Sequence, residues 1–107
     1  MFSQDLLLYE SLIKPLLLVE VDDIYVGETA TVKITVNDDF NSQVYARIGS
    51  EYSDYITLHG GKNTISIDGL TIGEKIFQVT FNGDSKYSAK KAITNFTVLK
   101  GVNVSDK

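Results

Sequence analysis

Residues Gly69 to Tyr87 read GLTIGEKIFQVTFNGDSKY, and the pattern inside them decides the fold class. A turn at Gly73 leads to Phe77, Val79 and Phe81, which alternate with Ile76, Gln78 and Thr80. The run stops at Asn82-Gly83-Asp84-Ser85. These residues favour turns because they tolerate left-handed backbone or hydrogen-bond their own main chain. Alternation with a period of two, closed by Gly and Asx, predicts a half-buried antiparallel strand rather than a helix.

The same pattern recurs on both sides of this stretch. Leu16 to Val21 is predicted as a first strand, with Leu17, Val19 and Val21 buried opposite Glu20. Asp22-Asp23 breaks or bulges it, and Ile24 to Val26 continues to a turn at Gly27. Ala30, Val32, Ile34 and Val36 alternate with Thr31, Lys33 and Thr35, and residues 37–41 read as a loop. Val44, Ala46 and Ile48 form the next strand, closed by Gly49-Ser50. Tyr52 to Leu58 is a weaker strand, Gly60-Gly61 is expected to turn the chain, and Ile65 to Ile67 is a short strand. Ala92 to Leu99 closes the set, with Phe96 and Val98 inward. About seven short strands, with turn signals roughly every 8 to 12 residues, predict an all-β, antiparallel Greek-key sandwich. Its core is expected over Val32, Ile34, Val44, Ile67, Phe77, Val79 and Phe96.

The two ends read differently. Ser3 can cap a short helix with Asp5 in its first turn and Leu6, Tyr9, Leu12 and Ile13 on one face, ended by Pro15. A partly ordered leader or linker fits equally well. The domain plan is therefore 1–14 leader or linker, 15–101 sandwich, and 102–107 polar tail.

The chain has 107 residues, of which 43% are hydrophobic, which suits one small domain. No apolar run approaches the roughly 20 residues needed to span a bilayer, so no membrane insertion is expected. The first residues lack a basic n-region, so a secretory signal, if there is one, lies upstream. A net charge of -4 argues against nucleic acid, which needs clustered Lys and Arg. The absence of cysteine excludes disulfides, thiolate metal sites and Cys nucleophiles.

Several segments resemble the bacterial and archaeal Ig-like repeats of surface, adhesin-like proteins. They are Ile24-x-Val26-Gly27-Glu28, Gly61-Lys62 followed by Ile65-x-Ile67-x-Gly69-Leu70 and Gly73, and Phe81-Asn82-Gly83-Asp84-x-x-Tyr87. The closing Phe96-Thr97-Val98 completes a resemblance covering Pro15 to Gly101. One departure is Lys75, where the family often carries an aromatic. The resemblance implies an Ig-like sandwich and a non-enzymatic, extracellular module. Such a module acts as a spacer or adhesive repeat at the cell surface, with a glycan or another cell's surface protein as partner and neighbouring domains of its own chain beside it. A carbohydrate-binding accessory module of a secreted enzyme is the alternative.

In an Ig topology the loops after the second and sixth strands share one end. That brings Asp38, Asp39 and Asp84 toward one another, with the amides of Asn37, Asn41 and Asn82, an oxygen set that suits calcium. Turn preference explains the same residues. His59, the single histidine, lies beside Gly60-Gly61 and reads as a solvent-exposed turn residue rather than a catalytic base. An isopeptide link needs a buried Lys; Lys33 falls on the outer face, and Lys75 has inward parity but can snorkel from a strand start. Tyr45, Tyr52 and Tyr55 are candidates for one outer aromatic row, as sugar platform or as ordinary cross-strand partners. Asn95-Phe96-Thr97 and Asn103-Val104-Ser105 fit the glycosylation sequon, with Asn95 outward if Phe96 is inward.

Overall fold

The structure, a computed structural model, describes residues 12–101. The Ser3 cap, most of the leader, the 102–107 tail and the Asn103 sequon lie outside them. The fold is all-β, with no helix among the described residues. Six strands form one curled, open sheet: β1 (Leu17–Val21), β2 (Ile24–Tyr25), β3 (Ala30–Ile48), β4 (Tyr52–Ile67), β5 (Gly73–Phe81) and β6 (Lys90–Leu99). Their order is β1-β3-β5-β6-β2, with β4 on the opposite edge of β3. All pairs are antiparallel except the short β2–β6 pair, which is parallel.

The strand β3 organises the sheet. One of its edges is shared between β1, from Val21↔Val32 to Leu17↔Val36, and β5, from Tyr45↔Thr80 to Ile48↔Phe77. Its other edge pairs with β4 along nearly the whole length. The expected loop at 37–41 is instead a bulge inside this strand. Val36 faces Gly61 and Asn41 faces His59, so Asn37 to Phe40 stand against Gly60 alone. Extra residues on one side bend a strand and raise its twist. For the same reason Gly60-Gly61 does not reverse the chain. The two strands expected on either side of it are one strand, β4, and Gly61 takes the kink at φ +89°.

The bend closes one face around the core. Ala30, Val32, Ile34 and Val36 from the first half of β3 are buried with Val44, Ala46 and Ile48 from the second. Leu17, Leu58, Ile67, Phe77, Val79, Phe81, Phe96 and Val98 join them. Strands β1 and β6 come close to each other without hydrogen bonding, so the curl brings the β1 end of the sheet back toward its β6–β2 end. Lys33 and Arg47 are exposed, as the alternation of their strand requires, and Gln78 is half-buried on the outer face. Phe40, read from sequence as a loop residue, is buried and packs edge-on against Phe81 with ring centroids 4.9 Å apart.

Leu12 to Leu16 form no helix, and Ile13 makes an isolated bridge to Tyr87, which corrects the last turn of the expected helix. Ile13 N–H donates to the Lys86 carbonyl at 3.0 Å, and Ser88 N–H donates to the Ile13 carbonyl at 2.9 Å. Pro15 disfavours helical backbone at Lys14, and the turn after β5 supplies the partners a helix would have supplied.

Candidate functional site

The densest polar network lies where the β3 bulge meets the β5–β6 connection. Gly83 adopts φ +97°, a conformation open to glycine at little cost, and so turns the chain after β5. Asp84 then organises the turn. Its Oδ1 accepts from the N–H groups of Lys86 at 2.8 Å and Tyr87 at 2.7 Å, and its own N–H donates to the Tyr87 carbonyl at 2.9 Å. Its Oδ2 accepts from Ser42 Oγ at 2.7 Å, which ties the turn to β3. The bulge presents Asp39 to the same turn, where its carboxylate accepts from the Lys86 ammonium and the Tyr87 hydroxyl. Tyr87 is buried and tilted against Phe40 at 5.9 Å, so the network stands on the core.

These contacts set the electrostatics. The Lys86 ammonium and then the Tyr87 hydroxyl hold the Asp39 carboxyl below its ordinary range. The Tyr87 N–H, Ser42 and the Lys86 N–H do the same for Asp84. Asp39 in turn pushes the Lys86 ammonium and the Tyr87 hydroxyl up. Lys86 and Asp39 are about half exposed, at 53% and 49%, so salt screens their pair and its net contribution is small.

Of the three expected calcium ligands, the fold brings two together. Asp39 and Asp84 share the network, whereas Asp38 is exposed and its backbone lies against Gly60. The Lys86 ammonium occupies the position a cation would take beside Asp39. No cluster of three or more acidic, His or Cys side chains suited to a metal occurs among the described residues. Donors already seated on both carboxylates predict coincident melting curves in calcium and in chelator. A calcium-dependent rise that Asp84→Ala removes would make calcium the ligand, since a ligand bound only to the native state stabilises it.

A second cluster joins the β3–β4 turn to the start of β5. Lys75 is buried, at 8% exposure, with its ammonium on the Glu51 carboxylate and 2.8 Å from Thr71 Oγ. It does not snorkel outward. Its inward parity wins because Glu51 supplies a counter-charge at the core's rim. Glu51 also accepts from Thr71 N–H at 3.0 Å and Thr71 Oγ at 3.1 Å. Lys75 first, and the Thr71 N–H after it, hold the Glu51 carboxyl below its usual range. The Lys75 ammonium is held by Glu51 and Thr71 Oγ rather than by an Asn or Asp side chain, which does not favour an isopeptide link, and Lys33 is exposed.

The pH dependence of stability follows from these directions. Asp39, Glu51 and Asp84 have carboxyls depressed by folding, so their contribution is present above the ordinary carboxylate range. It is lost as pH falls through their folded values, and the thermal midpoint should drop below about pH 4. Lys86 and Tyr87 are raised by folding, so theirs is present below their ordinary values and lost above about pH 10. Asp39→Asn removes the cause of the Lys86 and Tyr87 shifts and should flatten the alkaline limb of a midpoint-against-pH curve, while the acid limb loses only the share of Asp39 and keeps those of Glu51 and Asp84. An unchanged profile would contradict the network.

The tyrosines divide between two faces. Tyr45 and Tyr55 are direct cross-strand partners on the outer face, with ring centroids 4.9 Å apart and planes at 48°. Tyr52 has the opposite parity and packs against the core, and this burial raises its hydroxyl pKa. It therefore leaves the expected outer row. Asn95 is exposed opposite Ile76, and the Thr97 N–H of its sequon donates to Asp23 at 2.8 Å. His59 is exposed, and its backbone is held by the Asn63 side chain.

Sequence reasoning did not find Lys86, Ser42 or Phe40 as members of the network. Phe40 carried a usable signal, since it continues the even-numbered apolar series running from Ala30 to Ile48. No family model matches this chain, and neither curated proteins nor solved structures give a match.

Proposed function

We propose that the chain is a non-enzymatic Ig-like module, a spacer or adhesive repeat of an extracellular, cell-surface protein. The observation that carries this reading is the pairing scheme. Each half of β3 has its own neighbours: β1 and the end of β4 for the first, β5 and the start of β4 for the second. Taken as two strands joined by a bulge, they divide the curled sheet into two facing layers, the arrangement of a Greek-key sandwich. The parallel β2–β6 pair and the approach of β1 to β6 suit the same reading. The motif Phe81-Asn82-Gly83-Asp84-x-x-Tyr87, on which the family resemblance rests most, acquires a physical reason. Gly83 makes the turn, Asp84 fastens it, and Tyr87 anchors it to the bulge.

An interior filled by side chains leaves the loop end and the outer sheet face as binding surfaces, which suits a macromolecular partner. The outer-face pair of exposed Tyr55 and half-buried Tyr45 favours the second reading, a carbohydrate-binding module, since aromatic faces flanked by polar side chains hold sugar rings. The test is to immobilise single and tandem copies over a glycan array and a panel of surface proteins. Retention should be weak for one copy and stronger for tandem copies through multivalency. Loss of glycan retention in Tyr55→Ala would select the carbohydrate reading. Tight binding of a small metabolite by one copy, or turnover abolished by His59→Ala, would overturn both.

A further inference from the structure

The strand β4 pairs with β3 alone, so the opposite edge of Tyr52–Ile67 has no strand beside it among the described residues. In an antiparallel ladder alternate residues direct their backbone N–H and C=O to opposite edges. The Tyr55 N–H is taken by the carboxylate of Asp54 at 2.9 Å, so the Tyr55 backbone faces away from β3. By the same alternation Ser53 and Thr57 also face outward. At His59 the edge is sealed. The Asn63 side chain accepts from the His59 N–H at 3.0 Å and donates to the His59 carbonyl at 2.8 Å. A window of backbone with no partner strand therefore runs from Ser53 to Thr57, between the Asn63 seal and the turn at Gly49–Glu51, with the Tyr55 N–H held by Asp54. Exposed edges in natural sheets are usually blunted by Lys, Pro or a covering element. This window has no Lys and no Pro, and its single charge is Asp54.

We propose that this window pairs with the same window of a second copy, antiparallel, about a two-fold axis at Tyr55. Outward-facing residues must oppose one another in such a ladder, and the axis at Tyr55 meets that requirement. It sets Tyr55 against Tyr55 and Ser53 against Thr57. An axis at Asp54 would place two carboxylates directly opposite, which is destabilising. An axis at Ile56 would set Ser53 against His59, whose backbone Asn63 already holds. A slip by one residue would bring the core face of one copy level with the outer face of the other. The Tyr55 ring, 63% exposed, leans on Tyr45, so the joint extends an outer row Tyr45, Tyr55, Tyr55, Tyr45 across both copies. Cross-strand aromatic pairs favour this arrangement. Asp54 is the gate, because it must release the Tyr55 N–H before the ladder forms. The contact is short, so pairing is weak for free copies and grows where copies are crowded. Self-pairing of this edge holds or fails independently of the adhesive role.

Sedimentation equilibrium of the full chain from micromolar to millimolar concentration tests the proposal. The parent chain should pass from monomer to dimer as concentration rises. Thr57→Pro removes an N–H that has no partner in β3, which an edge strand tolerates, and should stay monomeric. Tyr55→Lys sets two cations face to face and should do the same; if Thr57→Pro fails to fold, Tyr55→Lys carries the test. Asp54→Ala frees the Tyr55 N–H of each copy and should lower the dimerisation midpoint about tenfold. A parent chain monomeric at millimolar concentration overturns the proposal, whether or not its edge takes an unrelated extended peptide. So does a dimer whose midpoint neither Thr57→Pro nor Tyr55→Lys moves.

Discussion

Gly60→Ala is expected to destabilise the chain by about 3 kcal/mol or more, the upper range for overpacking, because the clash is with main chain. A Cβ at Gly60 would overlap the Asp38 carbonyl oxygen and come within 3.1 Å of the Asp38 Cα. No rotamer change relieves a backbone collision, so the bulge itself must open. Opening it would disturb Phe40, which the bulge directs into the core, and Asp39, which it presents to Lys86 and Tyr87. Gly61 provides the control. It has φ +89° and nothing within 4 Å of its Cβ position, so Gly61→Ala should cost only the left-handed backbone, about 1 to 2 kcal/mol. Urea denaturation of the two variants gives the comparison, provided that the m-values agree with the parent's. If Gly60→Ala proved the milder change, the close approach of β3 and β4 would be wrong.

What the sequence made legible follows from the range of the physics involved. The strand at Phe77 to Phe81 was readable because burial on one face imposes period-two alternation, a local signal. The same rule gave the inward sets of β1, β3 and β6, and the outward positions of Lys33 and Arg47. The fusion of two expected strands into β3 was hidden by Asn37-Asp38-Asp39, residues that favour turns unless a partner strand overrides them. That partner, β4, contributes one residue, Gly60, against four, and this mismatch is a long-range property of the pair. The short helix expected before Pro15 gave way where it is described. Ile13 binds Lys86 and Ser88, more than seventy residues away in sequence, and local propensity carries no trace of that contact.

The candidate site was legible only in part for a similar reason. The expected Ig topology placed Asp38, Asp39 and Asp84 at one end, and of these the fold brings Asp39 and Asp84 into one network. Composition could not tell that the Lys86 ammonium would pair with Asp39, or that backbone N–H groups and Ser42 would occupy Asp84. Parity alone set Tyr52 with Ile56 and Leu58 and apart from Tyr55; only the pairing of Tyr45 with Tyr55 needed the register across Gly49-Ser50. Lys75 shows the limit most clearly. Its parity was inward, yet only the arrival of Glu51 from another turn makes burial of its ammonium tolerable.

Phe77→Ala should cost about 3 to 5 kcal/mol, the range for removing a buried phenyl from a packed core. Phe77 is wholly buried, and its strand lies between β3 and β6, where it pairs with Ile48 on one side and Thr94 on the other. A residue flanked by strands on both sides is held by two ladders, so the walls of the vacated space cannot close and the cavity term is felt in full. Phe77→Leu keeps most of the volume and should lose only about 1.5 kcal/mol or less. Ile93 on the outer face of β6 is 58% exposed, so Ile93→Ala should stay within roughly 0.5 kcal/mol of the parent. Chemical denaturation of the three variants should rank them Phe77→Ala, Phe77→Leu, Ile93→Ala in decreasing loss. A loss of well under 1 kcal/mol for Phe77→Ala would mean that the curl does not close over this strand, and that β1 and β6 do not come together.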